Sequence, residues 1–189
     1  MPSLLLLGAS DLRVALPMPA AIAAMKRAFA AVSAGEASMP LRGVIDAGAG
    51  TTLVMGAALP GIGLASKTVS VFPGNVGRGR PVVSGLVTVL DPETGVPVAI
   101  CDGTFLTAWR TGAASGAATD LLARPDARRA AVFGSGAQAR TQLLAIAAVR
   151  PLERVRVWSV DGAGLARFLA EMSGQVEAEL RPAESGAHA

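Results

Sequence analysis

The 189-residue chain has no tyrosine, one cysteine, one histidine, and two lysines among its seventeen basic residues. Each shortage excludes something. Aromatic residues make up 4% of the chain, which leaves no platform on which the bases of a single nucleic-acid strand could stack. The arginines are spread along the chain, and their one local cluster, Arg124, Arg128 and Arg129, is broken by Pro125 and Asp126, so the formal charge of +3 predicts no nucleic-acid partner. Cys101 alone forms no intramolecular disulfide and no cysteine zinc set, so no metal is expected and a reducing, cytoplasmic setting is. It lies in an apolar stretch and reads as a buried thiol, not a nucleophile. His188, beside the C-terminus, is expected to be disordered rather than a ligand. The run LLLLG ending at Gly8 is too short to cross a membrane and lacks the basic flank of a signal peptide, so it predicts a short buried strand and no membrane partner.

What is present is a globular balance, 51% hydrophobic and 16% charged. SDLRVAL offers Ser10 or Asp11 as a helix N-cap, and PAAIAAMKRAFAAVSAG then places Ile22, Met25, Phe29 and Val32 at helical spacing before Gly35, which predicts an amphipathic helix on a core. From residue 51 the period changes. TTLVMGAAL, IGLASKTVSVF, VVSGLVTVLD and VPVAICD predict strands of one sheet, and DPETG predicts a hairpin turn between the last two. Asp102 caps a long helical stretch in which Leu106, Ala113, Ala117 and Leu121 can share a face, and Pro125 ends it. Its many small residues suit close approach to a backbone or a ligand. After it, strand, helix, strand, helix and at most one more strand alternate from about residue 129. The expected class is α/β: an α+β domain over 1–125, then a partial doubly wound domain over 126–189.

The first turn of that alternation reads G-S-G-A-Q-A. It follows an apolar strand and opens a helix, the setting in which helix N-terminal amides hold a pyrophosphate. Gly134 would make the tight turn, Gly136 would admit the phosphates and Ala139 would let the helix pack closely on its strand. The plain alternative is an ordinary strand-to-helix turn. The second strand ends in VWSVDGAG, where Ser159 stands at the position of the usual ribose-binding acid. Asp161, two places on, either serves the ribose or caps the following helix.

LRG near 42, ASKTVSVFPGN from 65, and the run from Ser84 to Ile146 that contains DGTFLTAWRTGAAS and GSGAQA resemble the ornithine cyclodeaminase and mu-crystallin family, as does VRVWS from 155. The resemblance covers about residues 10–182. It implies an NAD(P)-dependent protein with an N-terminal substrate and dimerisation domain followed by a Rossmann domain. Its members act on small amino or imino acids, by imine reduction, amino-acid dehydrogenation, or deaminating cyclisation of ornithine. By match of motif, Arg42 and Arg110 are similar to the residues that hold the substrate carboxylate, and Lys67 to the active-site lysine. Thr111, with Gly112 and Ala113, is similar to the segment near the cofactor phosphates, and Gly134, Ser135, Gly136, Ala137, Gln138 and Ala139 to the dinucleotide loop. Two guanidinium forks suit a carboxylate, and orientation is most of what hydride transfer asks of a protein. Without the motif, Arg110 would read as a helix-surface ion-pair partner, Lys67 as a strand-end charge and Arg42 as a loop residue.

The sequence also departs from the pattern. Chains of that family run longer and carry a catalytic aspartate in the second half of the Rossmann domain, which none of Asp120, Asp126 or Asp161 matches. The expectation is therefore a truncated chain with an incomplete Rossmann domain, an unpaired sheet edge and an uncovered apolar face. The alternatives to an oxidoreductase are a cyclodeaminase, or a non-catalytic chain that binds nucleotide or a partner.

Overall fold

The computed structural model describes residues 3–188. They form two compact units, one from residues up to Leu16 with Arg27–Thr107, the other from Pro17–Lys26 with the residues from Ala108 onward. The division falls inside two helices.

The first unit is built on a six-stranded sheet. Its strands are β1 (Leu5–Leu7), β2 (Gly43–Asp46), β3 (Thr51–Leu59), β4 (Gly63–Val71), β5 (Val83–Leu90) and β6 (Pro97–Asp102). Their order is β1-β6-β5-β4-β3-β2, antiparallel throughout except that β1 lies parallel to β6. The β5–β6 hairpin closes as the turn chemistry requires. Asp91 accepts from the amides of Glu93 and Thr94 and the hydroxyl of Thr94, and Gly95 takes a φ of +72°. Helix α1 (Ala9–Ala15) lies on one face, where Leu12, Ala99 and Cys101 are buried with Leu7, Val87, Val89, Phe105 and Leu106. Burial pushes the Cys101 thiol pKa up, which keeps it in the unreactive thiol form.

On the opposite face Leu6, Ile45, Val54 and Leu86 remain exposed. The buried strand expected at LLLLG is instead an edge strand. Leu6 points to the uncovered face, and Leu5, which shares the face of Leu7 through its register with Ala99, is left in solvent because the packing there reaches only Leu7. At the start of α1 the cap is Gly8, and Asp11 reaches back to accept the Gly8 amide at 2.9 Å. Helix α2 (Met18–Ser33) buries Ile22, but Phe29 and Val32 are about half exposed, so its apolar stripe is covered only at the N-terminal end.

In the second unit β7 (Arg129–Phe133), β8 (Arg154–Trp158) and β9 (Glu179–Pro182) form a parallel sheet in that order, with α4 (Ala137–Ala147) and α5 (Gly162–Met172) as crossovers. Val132, Leu143, Val155, Val157, Phe168 and Met172 make its core. The other face of this sheet is not the uncovered apolar surface expected. Alternation along the strands turns Arg129, Arg154 and Arg156 outward, and they share that face with Phe133 and a β9 that carries Arg181 and Glu179.

Helix α3 (Gly103–Leu122) starts where predicted: Asp102 accepts the amides of Thr104 and Phe105 at 2.8 and 3.0 Å. Within the second unit it lies against α4 through small residues. A Cβ on Gly112 would stand 2.6 Å from the carbonyl carbon of Thr141, and one on Gly116 2.7 Å from Ile22. Ala113 and Ala117 are buried, whereas Leu121, expected on the same face, is exposed because α4 does not extend beneath it.

Candidate dinucleotide and substrate site

The turn from β7 into α4 is built from Gly134 to Ala139. Gly134 has φ +100°, a conformation L side chains rarely adopt, and its amide donates to the carbonyl of Trp158 at 2.7 Å, tying the turn to the end of β8. A Cβ at Gly134 or at Gly136 would meet nothing within 4 Å, so the space over the turn is open. Gly136 is the N-cap of α4, which leaves the amides of Ala137, Gln138 and Ala139 as first-turn donors without an intrahelical acceptor. These features fit a pyrophosphate: positive backbone dipoles, a positive-φ glycine and room for a group to approach.

Two hydroxyls join this turn to the end of β8. Ser135 Oγ and Ser159 Oγ are 2.9 Å apart, and Ser159 Oγ also accepts the amide of Asp161 at 3.2 Å. Asp161 caps α5 through the Gly164 amide at 2.9 Å, so the capping alternative is realised, with Arg167 4.0 Å from its second oxygen. Gly164 has to be small there, because a Cβ would lie 2.9 Å from the Asp161 carboxyl carbon and 3.1 Å from Ser135 Oγ. Ser159 and Asp161 thus stand together beside the glycine turn.

Sequence reasoning missed Arg140. From the first turn of α4 its Nη1 donates to the carbonyls of Ser135 and Gly136 at 2.8 and 3.0 Å, its Nε to Glu171 at 2.6 Å, and its guanidinium lies over the Phe168 ring. Arg140 holds the Glu171 carboxyl below the usual carboxylate range by hydrogen bonding. Glu171 is 31 residues away, so no local pattern announces the pair.

In the first unit the strand register relates two of the proposed substrate residues. Lys67 in β4 faces Met55 on one side and Val87 on the other, and Val87 faces Cys101. Gly43 pairs with Val54, so Arg42, one residue outside β2, falls opposite Met55. Cross-strand partners point to the same face. Arg42 and Lys67 are therefore in one row, two strand spacings or about 10 Å apart, on the face that α1 and the first turn of α3 cover further along. Lys67 is half-buried and Arg42 exposed. Arg110 and Thr111 belong to the second unit. Arg110 is exposed, and Thr111 precedes the Gly112 contact with Thr141 of α4. Trp109 is buried.

The chain matches the model of the ornithine cyclodeaminase/mu-crystallin family over residues 4–189, and it belongs to that family. It is 34% identical over 182 residues to the alanine dehydrogenase of Archaeoglobus fulgidus, covering 95% of this chain and 56% of that one. Among solved structures, the Thermococcus litoralis Δ1-pyrroline-2-carboxylate reductase in complex with NADH and L-proline superposes with a TM-score of 0.90 at 41% identity, over 96% of this chain and 57% of that one. An archaeal alanine dehydrogenase dimer with bound NAD gives 0.86 at 32% identity, over 95% and 56%. The chain spans a little over half the length of the relatives it matches.

Proposed function

We propose that this protein is an NAD-dependent oxidoreductase acting on a small amino or imino acid, reducing a cyclic imine or dehydrogenating an amino acid. The glycine turn carries the reading: a positive-φ Gly134, open space over Gly134 and Gly136, and unshared first-turn amides ahead of α4. The reductase relative holds NADH and L-proline, which supports both the cofactor and the substrate class. Residues 126–189 would hold the pyrophosphate on Gly134–Ala139 and the adenosine ribose near Ser159 and Asp161, with Thr111 near the phosphates. NAD is favoured over NADP because the reductase and alanine dehydrogenase relatives hold NADH and NAD.

When bound, the nicotinamide supplies or accepts the hydride. By match of motif, Arg42 and, on α3, Arg110 are each candidates to hold the substrate carboxylate as a bidentate donor, and Lys67 to exchange a proton at the substrate nitrogen. Titration of the purified chain with NADH and NADPH by nicotinamide fluorescence tests the cofactor reading. Saturable binding, at least tenfold tighter for NADH, is expected, and no binding of either would overturn it. In a chain that turns over, Lys67→Met should lower kcat for imine reduction by more than a hundredfold with the NADH Kd within twofold. A lysine cyclodeaminase structure also superposes, at a TM-score of 0.82 and 36% identity, so release of ammonia from L-ornithine or L-lysine would assign the chain to deaminating cyclisation instead.

The same proposal includes a cytoplasmic homodimer. No single described helix is long and apolar enough to cross a membrane. The uncovered sheet face with Leu6, Val54 and Leu86 is a suitable seat for a second copy, and the alanine dehydrogenase relative is a dimer. Leu86→Asp should convert a dimer to a monomer in sedimentation velocity while keeping the circular dichroism spectrum; an unchanged sedimentation coefficient would place the interface elsewhere.

A further inference from the structure

We infer that Arg140 is the positioning residue that aims the phosphate-facing amides of the glycine turn, an inference that rests on the dinucleotide reading above. A trans peptide is planar, and its C=O and the N–H of the next residue point in opposite directions. Arg140 Nη1 draws the carbonyls of Ser135 and Gly136 to one side, at 2.8 and 3.0 Å. The amides of Gly136 and Ala137 are thereby turned to the other side, where the turn is open.

The guanidinium is itself fixed by bonds made away from the turn. Nε and Nη2 both meet Glu171 at 2.6 Å, and its plane rests over Phe168, a fully buried side chain of the α5 core. With these groups engaged, Arg140 acts on a phosphate through the backbone and not as a point charge. The rest of the turn does not hold the peptide between Ser135 and Gly136. Ser135 is tied by its hydroxyl to Ser159 and Gly134 by its amide to Trp158, and neither bond orients that peptide. The N-cap carbonyl of Gly136, by contrast, is also oriented by the first intrahelical bond of α4, so Arg140 bears chiefly on the Gly136 amide. A glycine-containing turn left without that constraint would sample other peptide orientations, and the ordering would have to occur on binding.

The fork geometry is what the task demands. One arm reaches two carbonyls while the other edge holds a carboxylate, which the single ammonium of lysine cannot reproduce.

The test compares NADH dissociation constants, by nicotinamide fluorescence and by calorimetry, for the unmodified chain, Arg140→Ala, Arg140→Lys and Glu171→Gln, with the thermal midpoint of each ligand-free protein. Expected are tight binding by the unmodified chain, a tenfold or greater rise in Kd for both Arg140 variants, and a change below threefold for Glu171→Gln. The last is small because Nε and Nη2 both meet the single oxygen Oε2 and an amide oxygen can accept there in its place, even though the thermal midpoint falls with the lost charge. If Arg140→Lys binds as the unmodified chain does, charge alone suffices and positioning is overturned. If Arg140→Ala does not fold, the lysine variant decides. If loss of affinity merely follows loss of thermal midpoint across all three variants, the role is structural and the inference fails. Absence of NADH binding by the unmodified chain would instead overturn the dinucleotide reading, and this inference with it.

Discussion

Arg150→Ala should destabilise the second unit by about 3–5 kcal/mol, measured as the shift in urea unfolding followed by Trp109 and Trp158 fluorescence. Arg150 is 8% exposed, and every arm of its guanidinium has an acceptor. Nη2 donates to the carbonyls of Thr119, Asp120 and Ala123 at 3.0, 3.1 and 2.7 Å, Nε to that of Arg124 at 3.0 Å, and Nη1 to the Val149 carbonyl and the Asp120 carboxylate at 2.7 and 3.1 Å. Four of these carbonyls belong to the last turn of α3 and the residues just beyond it. Those of Thr119 and Arg124 also accept the amides of Ala123 and Ala127, so the guanidinium matters most to the carbonyls of Asp120 and Ala123 at the frayed helix end. Alanine would remove the donors and keep the acceptors in place, the case in which a missing hydrogen bond costs most. Arg150→Lys should recover less than half, since one ammonium cannot reach carbonyls spread over six residues. An unfolding midpoint unchanged by Arg150→Ala would show that water replaces the guanidinium without penalty.

The same cluster sets a direction for pH. The Asp120 carboxyl is held below its usual range, first by its hydrogen bond from Lys26 and then by that from Arg150. A lowered carboxyl pKa contributes stability that is present above the ordinary carboxylate range and lost as pH falls through the lowered value. Asp120→Asn should therefore flatten the acid limb of the stability curve without altering it near neutrality in slope.

How much of this was legible in the chain depends on the range of the interaction. Period-2 alternation and the DPETG turn are local, and β3 to β6 came out where the residues predicted them. The Asp102 cap is read over three residues and held as well. The turn at Gly134 was readable because its demands, a positive φ and an open approach, act on the glycines themselves. Coverage of an apolar stripe is a tertiary matter, and here the sequence misled. Phe29 and Val32 lie on the predicted helix yet are half exposed, and LLLLG forms an uncovered edge. Arg140 and Arg150 were invisible for the same reason. Their partners lie about thirty residues away, Glu171 for one and Thr119 to Arg124 for the other, and no spacing rule links them. Ser159 was singled out as standing in for an acid, but its bond to Ser135 across 24 residues appears only in the fold.

Gly112→Val should destabilise the second unit by about 3 kcal/mol and weaken NADH binding as well. The glycine was flagged for its small size, and the packing gives the reason. An added Cβ would stand 2.6 Å from the Thr141 carbonyl carbon and 2.8 Å from its Cβ, so the obstacle is mainly backbone and no rotamer change relieves it. Helix α3 would have to move off α4 by about an ångström, opening a gap beside Ala113, which has no exposed surface, and forfeiting dispersion contacts along the seam. Two readouts separate this from a loss of helix propensity, which in fact favours valine over glycine. Gly112→Ala should already lose most of the stability, because the first carbon makes the clash. Thr141→Gly should not rescue it, because the carbonyl remains. Since the glycine turn opens α4 only four residues before Thr141, a shift of that helix displaces the amides that would face the phosphates, and the NADH Kd should rise in the same variants. A stable Gly112→Ala chain with unchanged Kd would show that α3 and α4 separate freely, and that the small residues of α3 have no part in shaping the cofactor site.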